Sequence, residues 1–301
     1  MIIVTLLATL AAAMVWQHWR AVQVESAERD RVQATWILSG ALDFAKLILR
    51  EDAKSGRATA LTEPWATPLA ESRVSSFMAA DRSNAEGGPP AFLSGYITDA
   101  QSRYNLTNLV SAGKVAPLEL ETLERLCQAI GVDGSVAARI ANGLRDAITS
   151  TTRSGSNAAA PLLPRTVQQL TWLGIDAASV SALQPYVVLL PFATPVNVNT
   201  ASREVLTAAI QGMDPSSADR LIRLSQRTPF KDMVSFNAQV QSFAPIKANL
   251  DVRSSFFVVH GRLRISDRVL AERSLVQRHG TRDITVLWHE RLAGLEPAPA
   301  H

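Results

Sequence analysis

The N-terminal stretch MIIVTLLATLAAAMVWQHWRAVQVESAERDRVQATWILSGALDFAKLILR, residues Met1–Arg50, decides the fold of this chain. It contains no proline, and its first glycine is Gly40. Met1 to Trp16 carries no charge and is slightly shorter than the roughly 20 apolar residues that span a bilayer. We therefore predict one helix of about 50 residues that starts in a membrane and then packs on a folded domain.

The second half of this helix is amphipathic. Its apolar residues recur at every fourth position, in a row formed by Val32, Trp36, Gly40, Phe44 and Ile48 and flanked by Ala41, Ala45 and Leu49. Such a row forms one face of a helix, and we expect this face to lie against the domain. Trp16 and Trp19, followed by Arg20, suit the boundary between membrane and water.

A cleaved secretory signal is the alternative interpretation of this N-terminus. Ala11, Ala12 and Ala13 could supply the small residues of a cleavage site. A signal peptide normally has basic residues before its apolar run, however, and none precedes the run here. Because the helical pattern also continues without a break, we favour a retained anchor.

The rest of the chain changes from β-rich to helical and back. GYITD, Gly95–Asp99, alternates like a strand, and three β-rich runs follow Val252, separated by Ser266-Asp267 and by Gly280. Short helical patterns fill the region between them. These changes predict an N-terminal helix, a first β-containing part, a helical region of two halves with a linker near 151–164, a set of C-terminal strands and a disordered tail, at 1–50, 51–110, 111–250, 251–292 and 293–301.

Three similar turns punctuate the helical region, at Gly131-Val132-Asp133, Gly174-Ile175-Asp176 and Gly212-Met213-Asp214. Glycine just past a helix end adopts positive φ without strain. The aspartate two residues later can accept hydrogen bonds from the free N–H groups of the next helix. We therefore predict small helix–turn–helix units, typical of a compact interaction domain.

The sequence carries no recognisable catalytic or metal-binding pattern. The single cysteine, Cys127, excludes an internal disulfide and any multi-cysteine metal site. The five histidines have no metal-ligand spacing, and phosphate-binding glycine loops and serine-nucleophile motifs are missing. Glu119, Glu121 and Glu124 follow Pro117, where acidic groups stabilise the start of a helix. We predict a protein that is not an enzyme; a site assembled from distant residues is the hypothesis left open.

One segment could bind DNA. Residues 195–236 resemble the helix–hairpin–helix segment of competence-type DNA-binding proteins, in which a G-x-G hairpin presents backbone N–H groups to a phosphate. Here Asp214 replaces the second glycine, and its charge repels phosphate. Arg220, Arg223 and Arg227 on the next helix either attract a phosphate backbone or form a solvated face opposite Leu221 and Leu224. A membrane-tethered DNA-binding protein is therefore our alternative function.

Hydrophobic residues make up 47% of the chain and charged residues 19%, which is typical of a globular protein. The net charge of +3 permits acidic partners without requiring them.

At the start of the predicted DNA-binding segment, Asn197 and Asn199 can hold backbone groups in a turn, and we expect Thr200 to cap the helix that follows.

The order of these features resembles the type II secretion system minor pseudopilin K (general secretion pathway protein K) family. The resemblance is carried by Gly95–Asp99, by RYNLTNL at Arg103–Leu109, by VNVNTA at Val196–Ala201 and by the β-rich runs from Ser255 to Arg278. It implies an α+β, pilin-like fold: a long N-terminal helix packed on an antiparallel sheet, with a large inserted all-α domain of SAM-like or helix-hairpin-helix-like units.

The resemblance also implies a function and partners. Such a protein caps the tip of a pseudopilus that exports folded proteins across the outer membrane, together with minor pseudopilins I and J, and with H. It is anchored in the inner membrane by a single helix, with its globular part in the periplasm, after prepilin peptidase removes a leader. Because no leader ending in glycine is present, Met1 is the expected first mature residue. Thr5 then occupies the position at which ordinary pilin-like subunits carry an assembly glutamate, which the K family lacks.

Calcium is associated with some members of this family, in an acidic stretch after the first helical part. The corresponding region here, Arg145 to Ala160, offers one carboxylate, Asp146. Calcium prefers several oxygen ligands, usually with more than one carboxylate. We therefore assign no calcium ligand and no other cofactor.

Overall fold

The computed structural model describes residues 2–74, 91–152, 161–243, 249–265, 268–281 and 283–292. Its first element is helix α1, Ile2–Lys54, which confirms the predicted long N-terminal helix. Ala34 is the first buried residue among the described side chains of α1. The second part of the helix therefore packs on the domain, and the described side chains of the first part are mostly exposed. The expected disordered tail, 293–301, and most of the expected linker near 151–164 lie outside the described residues.

The strands confirm the predicted antiparallel sheet. In chain order they are β1 (Leu69–Arg73), β2 (Ala91–Asp99), the two-residue strands β3 (Tyr104–Asn105), β4 (Val110–Ser111), β5 (Lys114–Val115), β6 (Val187–Val188), β7 (Val196–Asn197) and β8 (Leu250–Asp251), then β9 (Phe256–Ile265), β10 (Arg268–His279) and β11 (Asp283–Leu292). The main sheet has the order β1-β2-β9-β10-β11, and all its pairs are antiparallel. β9 ends at Ile265 and β10 begins at Arg268, on either side of the predicted first break, and Gly280 lies between β10 and β11, as predicted.

The face of α1 that packs on this sheet is only partly the predicted one. The buried side chains are Ala34, Leu38, Ala45 and Leu49, which lie on the opposite side of the helix from Trp36. The prediction was wrong for Val32, Trp36 and Phe44, which are exposed. The last residue of the row, Ile48, and the flanking residues Ala41, Ala45 and Leu49 do pack against the sheet.

Two paired glycines in the middle of the sheet allow close packing: Gly261 makes room for α1, and Gly95 makes room for the backbone of β9. Gly95 on β2 lies opposite Gly261 on β9. A Cβ atom on Gly261 would lie 3.3 Å from Cδ2 of Leu38, and one on Gly95 would lie 2.6 Å from the carbonyl oxygen of His260. The second distance is too short for any real side chain, so β2 and β9 pair closely because position 95 has none.

The helical unit is an insertion between two strands that pair with each other, β2 and β9. Its helices are α2 (Pro117–Ala129), α3 (Ser135–Thr152), α4 (Ala177–Leu183), α5 (Arg203–Ala209), α6 (Pro215–Arg227) and α7 (Met233–Gln239). A continuous core runs through both halves of this unit and includes Leu126, Ile140, Leu206 and Phe236. The buried thiol of Cys127 belongs to it, and burial raises the pKa of that thiol to about 11, so it stays protonated.

The three glycine turns form as predicted. Gly131, Gly174 and Gly212 have φ of 73°, 77° and 81°, the left-handed region in which glycine is unstrained. The Asp176 side chain accepts a hydrogen bond from the backbone N–H of Ser179, and the Asp214 side chain accepts one from the backbone N–H of Ser217. Both contacts confirm the predicted capping role.

Candidate assembly surface and domain joint

The exposed face of α1 carries most of the apolar row that was expected to be buried, together with Leu47. Val32, Trp36, Phe44 and Leu47 are 54%, 72%, 49% and 46% exposed. Val32, Trp36 and Leu47 lie on the side of the helix that faces away from the sheet, and Phe44 lies at the edge of that side, beside the cavity between α1 and the sheet. Contiguous exposed apolar side chains of this size mark a surface that contacts another protein or a membrane. We call Val32, Trp36, Gly40, Phe44 and Leu47 the outer face of α1.

Gly40 lies in the centre of this outer face. A Cβ atom added at Gly40 would meet nothing within 4 Å, and its φ is not positive. A glycine within a helix costs about 1 kcal/mol relative to alanine. Neither packing within this chain nor backbone conformation requires a glycine here, whereas close approach of a second backbone would.

The first part of α1 is apolar and long enough to cross a membrane by length and composition. Thr5 is exposed, and its hydroxyl donates to the carbonyl of Ile2 at 2.7 Å within the helix. Met1, the expected first mature residue, lies outside the described residues.

The joint between the sheet and the helical unit is built around Asp99, the last residue of β2. Its carboxylate is buried and accepts four hydrogen bonds, from Gln101 N at 2.8 Å, Asn197 Nδ2 at 2.9 Å, Thr200 Oγ1 at 2.7 Å and Ser254 Oγ at 2.6 Å. Two donors come from the helical unit, one from the segment before β9 and one from the turn after β2. The single side chain therefore fixes the two units against each other.

Burial raises the pKa of Asp99, and the hydrogen bonds from Ser254, Thr200, Gln101 and Asn197 oppose that rise. An ionised carboxylate can accept all four donors without a cation beside it. We therefore interpret Asp99 as a structural acceptor whose role is to satisfy converging donors.

The same joint is tied to the C-terminal end of α1. Arg278 on β10 donates to Asp52 at 2.8 Å and to Thr59 Oγ1 at 3.0 Å. Thr59 also accepts from Ser254 N at 3.2 Å, which connects it to the Asp99 cluster. The helical unit is consequently attached at the end of α1 that lies farthest from its apolar start.

The asparagines of the quoted motifs hold loops of the helical unit. Asn105 and Asn108 exchange hydrogen bonds with the loop 190–194, including a reciprocal pair between Asn108 and the backbone N–H and carbonyl of Thr194 at 3.0 and 2.9 Å. Asn199 makes a similar pair with the backbone of Phe230, at 2.9 and 3.0 Å. Asn197 Oδ1 accepts from Asn199 N at 3.0 Å, as expected for a turn residue.

The cap of the helix that follows was predicted wrongly. Ser202, and not Thr200, is the N-cap of α5 and accepts from Val205 N. The Thr200 hydroxyl is drawn instead to the buried Asp99 carboxylate, a charge-assisted bond that is stronger than a neutral cap. This hydrogen bond could not be predicted from the sequence because Thr200 and Asp99 are 101 positions apart.

The DNA-binding hypothesis finds no support in this geometry. Asp214 accepts from Ser217 N at 3.0 Å and from Ser217 Oγ at 2.7 Å, so the hairpin's carboxylate already occupies the helix N-terminus. Arg220, Arg223 and Arg227 lie on the exposed face of α6, while Leu221 is buried. The arginines are exposed, as the solvated-face interpretation expects, but Leu221 and Leu224 lie beside them and not opposite them.

No group of three or more His, Cys, Asp or Glu side chains that could hold a metal occurs in the described ranges. Asp146, the one carboxylate considered for calcium, pairs with Arg145 at 2.8 Å. The residues after it, 153–160, lie outside those ranges.

A serine–histidine–carboxylate contact does occur between Ser274, His289 and Glu272. Ser274 is a mid-strand residue paired on both sides, which leaves no adjacent N–H group to stabilise an oxyanion.

A long, initially apolar helix on an antiparallel sheet, with a helical unit inserted between two paired strands, defines a pilin-like subunit with a membrane anchor. Two models of the type II secretion system (T2SS) protein K family match the chain, at residues 102–192 and 196–259, together about half of its length. The chain belongs to the type II secretion system protein K family. It is a minor pseudopilin of that secretion system.

Relatives support this assignment over the whole chain. The sequence is 24% identical over 324 residues to type II secretion system protein K of Pseudomonas aeruginosa, covering 100% of this chain and 93% of the relative. It is also 24% identical over 338 residues to the Dickeya chrysanthemi protein of the same name, covering 92% and 91%. The fold is similar, with a TM-score of 0.67 and 21% identity, to a chain in the crystal structure of the GspK-GspI-GspJ complex from enterotoxigenic Escherichia coli, covering 89% and 99%.

Proposed function

We propose that this minor pseudopilin occupies the tip of the pseudopilus, where it contributes by contact and carries out no chemistry. Its first helix holds it in the inner membrane while the globular part lies in the periplasm. Pseudopilins I and J, with H, are its partners, and prepilin peptidase supplies the mature N-terminus. The observation that carries this proposal is the outer face of α1, which is apolar, exposed and interrupted by a glycine that the chain itself does not need.

The chemistry of the outer face suits the helix of another subunit. Trp36 offers a large apolar area, and Gly40 lets a second helix axis come close beside it. The relative of similar fold is found in a complex with GspI and GspJ. Trp36 is 72% exposed, so a partner that covers it gains the hydrophobic free energy of burying its side chain.

The position of the helical unit supports a place at the tip. It is joined beside Asp52 and Thr59, at the end of α1 that points away from the membrane part. A bulky unit in that position covers the end of the pilin-like unit on which a further subunit would otherwise stack. Thr5 agrees with this, since a subunit with none above it needs no assembly glutamate.

Co-purification of the full chain with pseudopilins I and J tests the proposal. Trp36→Ala should reduce the amount of I and J recovered by roughly tenfold, because truncating a central tryptophan commonly costs 2 kcal/mol or more. Gly40→Leu should do the same by blocking close approach, although leucine improves the helix itself.

Matched controls separate this surface from general damage. Trp172 in the helical unit is also exposed, at 50%, and Gly134 is also surrounded by open space. Trp172→Ala and Gly134→Leu should leave recovery unchanged. Equal recovery of I and J with the Trp36, Gly40 and control variants would show that the outer face of α1 takes no part in the assembly.

A further inference from the structure

An arginine-lined groove lies on the helical unit, away from the outer face of α1 and from the joint. It has a volume of about 340 Å³ and is lined by Arg220, Leu221, Arg223, Leu224, Arg227 and Gln239. The arginines belong to α6, and Gln239 is the last residue of α7. Leucine side chains form the apolar floor, and guanidinium groups form the rim.

The arginines are spaced to act together. They occupy positions i, i+3 and i+7 of α6, so they share one face and span about 10 Å along the helix. Within the described part of the chain no carboxylate forms an ion pair with any of them. Nearby arginines differ, since Arg203 pairs with Glu204 and lies 3.8 Å from Asp219.

Like charges on neighbouring helical turns repel each other and do not stabilise α6. Long arginine stems can cover apolar surface, but a solvated face needs no run of a single sign of charge. The groove therefore has the properties of a site that is completed by negative charge from outside the chain.

We propose that this groove binds an acidic protein segment, with carboxylates on Arg220, Arg223 and Arg227 and an apolar side chain on the half-buried Leu224. Guanidinium groups bind carboxylates through two parallel hydrogen bonds, which gives both strength and orientation. The groove belongs to the helical unit at the membrane-distal end, where proteins approaching the tip would meet it. It lies on α6 and not on α1, which carries the surface that we propose for I and J.

Protein carboxylates fit this groove better than a nucleic acid does. In the helix–hairpin–helix mode, a duplex phosphate binds the backbone N–H groups of the hairpin as well as nearby cations. The neighbouring hairpin instead presents the Asp214 carboxylate, already bound to Ser217, at the point where phosphate would bind. An apolar floor between the arginines also has no counterpart in a phosphate backbone.

The test is fluorescence anisotropy with the full chain in detergent micelles. The probe is a fluorescein-labelled twelve-residue peptide of repeating Glu-Glu-Leu, with a Gln-Gln-Leu peptide and a short DNA duplex as comparisons. The acidic peptide should bind, and raising salt from about 50 to about 300 mM should weaken it several-fold. The neutral peptide and the duplex should bind at least about tenfold more weakly.

Charge removal identifies the groove. Replacing Arg220, Arg223 and Arg227 together by Gln should weaken peptide binding by roughly tenfold or more, and Arg223→Glu alone should have a similar effect. Arg203→Gln and Arg145→Gln, which remove arginines already paired, should leave binding unchanged.

Three outcomes would overturn the proposal: no binding of the acidic peptide at low salt, equal binding by the triple variant, or tighter binding of the duplex through the same arginines. These variants remove exposed side chains without internal partners, so circular dichroism should show unchanged folding. The recovery of pseudopilins I and J should also stay unchanged, which keeps this test independent of the proposed assembly surface.

Discussion

Replacing Asp99 by alanine removes the acceptor on which the joint between the two units converges. Four donors lose a partner: Gln101 N, Asn197 Nδ2, Thr200 Oγ1 and Ser254 Oγ. Asn197 Nδ2 retains the carbonyl of Thr59 at 3.0 Å, so three donors remain without a strong replacement. A buried donor left unsatisfied costs about 1–3 kcal/mol.

Removing the carboxylate also removes the cost of burying it, which offsets part of this loss. We therefore expect Asp99→Ala to lower the free energy of unfolding by about 3–4 kcal/mol. Asp99→Asn should cost about 2 kcal/mol, because an amide keeps one acceptor oxygen but turns an NH₂ group toward the other donors.

Urea unfolding of the full chain in micelles measures this effect. The tryptophan fluorescence of the chain reports the loss of packing through Trp65, which is buried against Phe257 in the core between α1 and the sheet. Asp146→Ala is the control, since its carboxylate pairs with the adjacent Arg145 at the surface, and it should change stability by less than about 0.5 kcal/mol. An Asp99→Ala variant as stable as the Asp146→Ala variant would refute the role assigned to the joint.

Three further predictions concern the sheet and the helical unit. Burial and two nearby arginines lower the pKa of His260 to about 4, below its ordinary 6.5, so the neutral form stabilises the fold above pH 6.5 and that contribution is lost as pH falls from 6.5 toward 4. His260→Leu should therefore show a shallower loss of melting temperature between pH 7 and pH 5, and a slope equal to that of the parent chain would contradict the assignment. Gly95→Ala should lower stability by about 2 kcal/mol or more because its Cβ would meet a carbonyl oxygen of β9 at 2.6 Å, while Gly134→Ala, with open space around it, should not; thermal melts of the two variants decide this. Asn199→Ala should cost about 2 kcal/mol by leaving the backbone N–H and carbonyl of Phe230 unpaired, and urea titration would count against this reasoning if the midpoint were unchanged.

Local features of this fold could be predicted from the sequence. Gly174 and Asp176, for example, end one helix and cap the next through contacts with residues a few positions away. The break at Gly280, between β10 and β11, is equally local. Each of these signals depends on backbone preferences that neighbouring residues alone determine.

The joint could not be predicted because its contacts join distant parts of the chain. Asp99 meets Asn197, Thr200 and Ser254 across separations of 98, 101 and 155 residues. Motifs that contain Asp99 and Asn197 were recognised in the sequence, but nothing in either motif shows that they contact each other.

The buried face of α1 illustrates a different limit. Periodicity correctly shows that the row from Val32 to Phe44 is apolar. It does not distinguish a face that meets the chain's own sheet from a face that meets another protein. Both faces of this helix are apolar after Ala34, and the face that turns toward the sheet carries Ala34, Leu38, Ala45 and Leu49.

The central claim is that the outer face of α1 joins this subunit to other pseudopilins. Site-specific photocrosslinking tests it most directly, with benzoylphenylalanine introduced at position 36 in cells that express the complete secretion system. The account predicts an adduct with pseudopilin I or J from position 36 and none from position 172, where an exposed tryptophan lies on the helical unit. Adducts with I or J from position 172 but not from position 36 would contradict it.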